Sequence, residues 1–583
     1  MNIKKILIAT FFTISIAAPL SAETKWVEEF LRRYQPGVAS TVDAGTEPTA
    51  LGEMLQTGTI PIGLNDLVNL MLDQNLDIRS NRLSPRSSYY SSLVFYRALQ
   101  PSLRLSTNLT KNTTASTSQA NGLEPTISTK RRNYSVGFAQ SLAYGTSVSV
   151  DATLNRNFSS SNSNNYNPSY TSQITYTIGQ KLLRDRGRLP NTRQIMQGQN
   201  NQKISEVNFE IQVTNLIVQA QKAYWDLVFA GEDLKIKQRS LELAQRTLDE
   251  NQMKVDIGTM APIDLTLNRS DVANRRDALL TSTYSVTSAE DLIKRLVSSE
   301  KDPSIFLLKF ATKDAPRNPL NVTVPTLEAA VRTALENRPE IRTAGLELKN
   351  RQIDEQYTQN QRLPQFDVTA SYNQNGVGGS LCRTRASQQF GAACLVSEPG
   401  GVLDSFHQLF TYNYSGYQVG FTFNMPLQFS SKPWEWLKSP AADADRDRAI
   451  TERQLSEARL NTTMQSILLE VRNALTQVEQ NRARIETAQL SLDLARERLE
   501  AEQTKFNLGT STLRFVLEEQ RNVAQAETTE FQTKTNFTKA LIDLDRAMGM
   551  TLRNNNIEVE KALQQPTVGE YKVLGTTAPA NQK

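Results

Sequence analysis

The amino-acid sequence predicts an α+β membrane fold written twice, each half giving transmembrane β-strands and then a long antiparallel hairpin of coiled-coil helices. Three observations predict it. The phrase "KVDIGT" (Lys254–Thr259) returns as "KFNLGT" (Lys505–Thr510), apolar residues recur every seven positions around both copies, and upstream of each such stretch the apolar period changes to two.

The duplication extends well beyond the phrase. Without a gap, Ala223 falls on Ala474, Leu241 on Leu492, Ala244 on Ala495 and Leu248 on Leu499. Upstream, "LNDLVNLMLDQNLDIRS" (Leu64–Ser80) matches "LEAAVRTALENRPEIRT" (Leu327–Thr343), and the same offset carries Pro101 onto Pro364. The two alignments differ in offset, which places an insertion near Lys130 to Asn157 in the first half. Two like halves result, rather than a many-repeat solenoid.

The N-terminus reads as a secretory signal over residues 1–22. Lys4 and Lys5 precede an apolar run from Ile6 to Ala18, and small residues follow before a cut near Ala22; a short buried helix is the alternative. No later stretch approaches the roughly 20 apolar residues of a spanning helix. Apolar residues make up 39% of the chain and mean hydropathy is −0.45, too polar for a bundle of membrane helices. A net charge of +5 with no Lys/Arg cluster speaks against a nucleic-acid partner. One His and two Cys leave little material for a metal site or a nucleophilic triad, so neither catalytic nor cofactor residues are assigned. The expected order is a linker at 23–60, a first repeat at 61–310 (strands in 101–183, helical hairpin 190–298) and a linker at 311–323. A second repeat at 324–550 (strands in 365–429, hairpin 440–548) and a polar tail at 551–583 complete it.

Leu227, Leu234, Leu241, Leu248 and Val255 keep a spacing of seven, repeated as Val478, Ile485, Leu492, Leu499 and Phe506. A seven-residue repeat on a helix of 3.6 residues per turn gives a left-handed supercoil seam, and the neighbouring Ala223, Ala230 and Ala244 permit close approach. After each Gly the spacing resumes, as Leu265, Val272, Leu279, Val286, Ile293 and as Val516, Val523, Glu530, Phe537, Leu544. Gly258, with Pro262 after it, and Gly509 therefore mark turns between an outgoing and a returning helix. The outgoing helices, about Pro190 to Asp256 and Pro440 to Asn507, would be about 100 Å long. The return helix and the opening helix (Leu64 to Leu99) are each about half that, so two laid end to end match one long helix.

In the strand regions, apolar and polar residues alternate. Leu103, Leu105 and Leu109 alternate with Arg104, Ser106 and Asn108; Val136, Phe138 and Leu142 with Ser135, Gly137 and Ser141; Val148, Val150 and Leu154 with Ser147, Ser149 and Asp151, and Ile174, Tyr176 and Ile178 follow. In the second half Phe366, Val368, Ala370 and Tyr372, then Tyr417, Val419, Phe421 and Phe423, repeat the pattern. Such strands suit a barrel facing lipid outside and a wet lumen inside. A soluble sheet with one buried face would alternate in the same way; the export signal and the polar loops favour the barrel. The segments Lys111–Arg132 and Ser159–Ser169 are expected as long outer loops and Ala143–Thr146 as a tight inner turn. Trp434 and Trp436 would join an aromatic belt or anchor a helix start.

These residues resemble the TolC-like outer-membrane efflux proteins. "AYWDL" (Ala223–Leu227), the two Gly-Thr turns, "IGQKLLRDRG" (Ile178–Gly187) and "NMPLQF" after the last strand carry the resemblance, over roughly Leu64 to Met550. It implies a homotrimeric channel in the outer-membrane lipid, its periplasmic helical tunnel docked through a periplasmic adaptor onto an inner-membrane transporter, in efflux or type I secretion. The trimer also follows physically, since four to six strands per chain are too few to close a wet barrel. Twelve strands per trimer is the expectation and eighteen the alternative, because Tyr134–Asn157 offers an extra hairpin. A coiled-coil adhesin or scaffold is the rival class, although one would more naturally be a single long coil.

The tips at Gly258, Thr259, Gly509 and Thr510 are expected to dock the adaptor; the competing reading is that each Gly only serves a turn needing φ > 0. In the family, carboxylates six and nine positions after the second Gly line the aperture, and an acid six after the first helps to hold it shut. By that pattern Asp264 and Glu518 are gate residues, Phe515 replaces one acid, and Ser511 stands where a basic partner can occur. The plain alternative makes Asp264 and Glu518 solvated helix residues. Cys382 and Cys394, in the second-half outer loop, are expected to pair in an oxidising compartment; free thiols or links between protomers are the alternatives. His407, in the same loop, is read as solvated.

Overall fold

Two long helices, each of about 100 Å, set the scale of the fold. The computed structural model describes residues 59–115, 125–160, 166–258, 261–297, 308–317, 322–383, 396–425 and 439–557. The signal segment, Thr259, Cys394, Trp434, Trp436 and the tail beyond Ile557 lie outside the described residues. Packing divides the chain into Pro61–Phe306 with Phe310–Asn556, and a second unit of the flanking segments with Leu307–Lys309. The first of these units contains the long helices and the large sheet.

The opening helix of each half is two helices. In the first, α1 (Leu64–Gln74) stops at Asn75, whose backbone is extended (φ −59°, ψ 126°) and whose side chain accepts from the Ile78 N–H at 3.0 Å to start α2 (Leu76–Val94). A 3₁₀ turn over Phe95–Leu99 leads to the strands. The second half breaks at the equivalent position. There α5 (Leu327–Asn337) ends before Arg338 (φ −65°, ψ 123°) and α6 (Pro339–Gln361) begins on a proline, which forces its predecessor to be extended. The single opening helix expected from the sequence is corrected accordingly.

The outgoing and return helices are α3 (Arg188–Asp256) with α4 (Pro262–Val297), and α8 (Pro440–Asn507) with α9 (Leu513–Ala547). Both α2 and α4 pack on α3, and both α6 and α9 pack on α8, so each long helix is lined by shorter ones. The seam is buried at Leu227 and Leu241 and at Val478, Ile485 and Leu492, but Leu248, Val255, Leu499 and Phe506 are only half-buried. The outgoing helices thus lose seam burial near the tips, as at Leu234 midway, while Leu265, Leu513 and Val516 on the return helices remain buried beside them. Away from the tips, Ala330 and Ala334 let α5 sit against Val471, Val478, Phe537 and Leu544 in one apolar cluster.

The large sheet runs β2 (Ser102–Ala115), β3 (Thr126–Ser141), β4 (Thr146–Ser159), β5 (Tyr166–Lys181), β7 (Gln365–Arg383), with short β8 (Val396–Glu398) and then β9 (Ser415–Asn424) both on β7, every pair antiparallel. Short strands β1 (Thr59–Ile62) and β6 (Lys309–Thr312) lie outside it. Register gathers Leu103, Phe138, Val150, Tyr176, Tyr372 and Tyr417 in one row on one face. On the other, Arg104, Gly137, Asp151, Thr175 and Asn373 form a polar row. Among the described residues the chain gives six long strands, four from the first half, so the expectation of four is replaced by the alternative of six. The first outer loop is shorter than expected, because Lys111–Ala115 and Thr126–Arg132 continue the β2–β3 ladder.

A helix absent from the sequence reading, α7 (Val402–Phe410), packs on β7. Its Ser405 and Leu409 are buried, and the Ser172 hydroxyl donates to the Ser405 carbonyl at 2.8 Å. A Cβ on Gly376 would lie 1.9 Å from that carbonyl, so only glycine seats the helix there. His407 is exposed on this helix rather than in a loop.

Candidate gate and docking tips

Both hairpin ends turn on a left-handed glycine. Gly258 (φ +82°) donates to the Val255 carbonyl at 2.9 Å; Gly509 (φ +77°) donates to Phe506 and Thr510 N–H to Lys505, both at 3.0 Å. The second is the paired C-terminal capping pattern in which an αL residue satisfies the last carbonyls. Nothing lies within 4 Å of where a Cβ would stand on either glycine, so backbone sign alone demands them. The tips are neighbours within one chain, with Lys254 Nζ 5.5 Å above the Phe506 ring.

Glu518 and Phe515 lie on one exposed face of α9, opposite buried Leu513, Val516, Leu517 and Gln520. Asp264 sits half-exposed in the first turn of α4. Among the described residues no hydrogen bond or ion pair joins the side chains of Asp264 and Glu518 to each other or to another group. Ser511 does not reach toward them. Its hydroxyl donates to the Glu502 carboxylate, which Ser511 first, and then Lys505 at 3.2 Å, hold below its ordinary pKa. Thr259 and Cys394 lie outside the described residues, and of Cys382 only the strand backbone is described.

Sequence reasoning missed two polar layers that join the halves behind the tips. Arg275 on α4 donates to Asp271 Oδ2 at 2.6 Å, to Ser240 Oγ on α3 at 2.8 Å and to Gln520 Oε1 on α9 at 3.3 Å, while Arg521 Nε stands 3.6 Å from Asp271 Oδ1. Burial pushes the Arg275 pKa down and Asp271 opposes it. In the other layer Asp233 on α3 accepts from Ser282 on α4 at 2.9 Å and from Thr528 on α9 at 3.0 Å. The only sequence signal was an acid and a base four apart on the return helix, a spacing that more often marks a solvated pair.

A sheet with an apolar and a polar face, continued by two long helical hairpins, defines the class of outer-membrane channel proteins with a periplasmic helical tunnel. The family model for the outer membrane efflux protein matches residues 128–298 and 330–550, and the chain belongs to that family. The chain is accordingly an outer-membrane protein whose helical part lies in the periplasm. A comparison with curated protein sequences gave no match. Among solved structures it is similar to the Campylobacter jejuni CmeC outer membrane channel (14% identity, 86% of this chain and 89% of that one, TM-score 0.57). It is also similar to the open state of the Neisseria gonorrhoeae MtrE outer membrane channel (16%, 84% and 89%, 0.52) and to a membrane protein from Pseudomonas aeruginosa (16%, 83% and 93%, 0.58). At such identities the likeness is one of fold.

Proposed function

We propose that three copies of this chain form a channel-tunnel that passes substrates from an inner-membrane transporter, through a periplasmic adaptor, to the exterior, in efflux or type I secretion. The observation that carries the reading is the two-faced sheet with free edges. Among the described residues β2 pairs only with β3 and β9 only with β7, and an unpaired edge is not tolerated in lipid. Since β2 and β9 run in opposite directions, β9 of one copy can continue onto β2 of the next in an antiparallel ladder. Three copies then close eighteen strands, a number that leaves a wet lumen, and bring six hairpin ends around one axis. The reading gives the chain no catalytic role.

The test is single-channel recording of the purified protein in a planar bilayer, combined with cross-linking of the assembly. Discrete conductance steps from a trimer are expected. A protein that coats the bilayer without conducting would overturn the channel. Copurification with an inner-membrane transporter after cross-linking tests the partners separately.

A further inference from the structure

The face of the sheet that carries Leu103, Phe138 and Tyr176, turned to lipid in the proposed channel and crossed at Gly376 by α7, turns basic at its end farthest from the long helices. Along β3 the outward row runs Gln140, Phe138, Val136, Tyr134 and then Arg132 and Lys130. Arg132 stands directly opposite Arg156 of β4, and Lys130 directly opposite Lys111 of β2, all on that same face. Like charges placed opposite one another destabilise a ladder. Among the described residues none of the four makes an ion pair.

Two of these cations are held by rings. Arg156 lies 5.9 Å from the Tyr170 ring centre and its Nε donates to the Tyr170 hydroxyl at 3.2 Å, while Lys130 stands 5.9 Å over Phe158. Such stacking fixes the cations without neutralising them. Their height also follows from the strand. Eight residues from Gln140 to Arg132 span about 27 Å along β3, or about 20 Å once a barrel tilt of about 40° is applied, close to the height of the apolar band. The helices leave from the opposite end of β2 and β5, so this rim belongs to the outer leaflet. Directly below the cations, Leu109, Tyr134 and Leu154 offer acyl chains an apolar wall.

We infer that Lys111, Lys130, Arg132 and Arg156 form a binding site for the phosphate groups of an anionic outer-leaflet lipid. Residues directly opposite in a ladder have Cβ atoms about 5 Å apart, so each cross-strand pair of cations can share one phosphate and a lipid headgroup with two phosphates fits best. Charge-assisted bonds to phosphate supply the affinity, and the wall beneath selects a lipid over a free anion.

The test uses the full-length protein in detergent, with native mass spectrometry of bound bisphosphorylated lipid A and of the same lipid stripped of its phosphates. The unmodified protein should prefer the phosphorylated form by about tenfold or more. Arg132→Gln with Arg156→Gln should erase that preference, and Arg131→Gln, one residue away on the lumen face, should keep it. Equal binding of both lipids by the unmodified protein, an outcome independent of any variant's folding, would overturn the site. Equal loss in Arg131→Gln would reduce it to a general charge effect and likewise overturn it. Displacement by millimolar inorganic phosphate would refute the lipid assignment.

Discussion

Arg275 donates to Asp271 at 2.6 Å with both side chains about 5% exposed, and the same guanidinium reaches Ser240 and Gln520 on two other helices. Removing one partner of such a pair leaves a buried charge uncompensated, which costs about 3–5 kcal/mol, whereas replacing both by apolar residues of like volume costs far less. Asp271→Ala should therefore lower the thermal midpoint of the purified protein strongly, and Asp271→Leu with Arg275→Met should recover much of the loss. If the double variant unfolds as early as the single one, the pair is not the coupled unit described.

Tyr224 is fully buried, donates to Asp314 at 2.8 Å and receives the Asp314 N–H at 3.2 Å. Burial, reinforced by the Asp314 carboxylate, pushes its pKa up to about 12 from 10.0. A pKa raised by folding means that the stabilisation is complete below pH 10.0 and is lost as pH climbs through about 12. Chemical unfolding of the native protein and of Tyr224→Phe at stepped alkaline pH should show the native chain falling more steeply over that window. Parallel curves would remove Tyr224 as the cause.

How much of this was legible can be judged from particular elements. The helices Pro262–Val297 and Pro440–Asn507 could be read because prolines start them and a seven-residue seam runs through them. The break at Asn75 could not, since its cause is a side-chain cap; Pro339 in the second half was its one visible trace. Lys111–Arg132 reads as a loop because Thr, Asn, Lys and Arg dominate it, yet in a barrel the lumen face is wet and the rim is charged, which hides the alternation. The Arg275 layer joins residues 245 positions apart, so no local pattern announces it.

At the first hairpin tip, Gly258 has an open surrounding and a positive φ, so Gly258→Ala and Gly258→Asp fit sterically and both carry backbone strain of about 1–2 kcal/mol. An adaptor surface predicts a further effect of charge. Cross-linking to the adaptor should fall much more for Asp than for Ala, with trimers intact in both. Equal falls would leave the glycine a turn residue only.

For Cys382 and Cys394, pairing in the outer loop would stabilise that segment by about 3 kcal/mol in the chain-entropy model. Mass spectrometry of the unreduced protein should find neither thiol open to alkylation under denaturing conditions, and a single peptide pair joined through both. Two alkylated thiols would exclude the bond.

Glu518 lies one turn beyond Phe515 on the exposed face of α9, and Asp264 lies in the first turn of α4, just after the other tip. In a trimer about one axis each position is repeated three times, which explains what a duplicated phrase provides: six similar hairpin ends at the narrow end of a tunnel. Ser511 is spent on Glu502, and Arg514, four residues before Glu518 on α9, makes no ion pair among the described residues, so no fixed partner neutralises a Glu518 ring. Carboxylates about 8 Å apart at an effective dielectric near 20 repel by about 2 kcal/mol per pair, and a divalent cation seated in the ring relieves that repulsion. If the ring is a gate, exposed Phe515 would be its apolar constriction, and the Arg275 and Asp233 layers, which tie α9 to α3 and α4, would hold it closed. Trimers carrying Glu518→Ala should lose the block of conductance by divalent cations, while Phe515→Ala should raise the resting conductance and keep the block. Asp264→Asn should alter either property only if the first-copy tip also lines the aperture. An identical cation titration for Glu518→Ala and the unmodified channel would return Glu518 to the class of solvated helix residues.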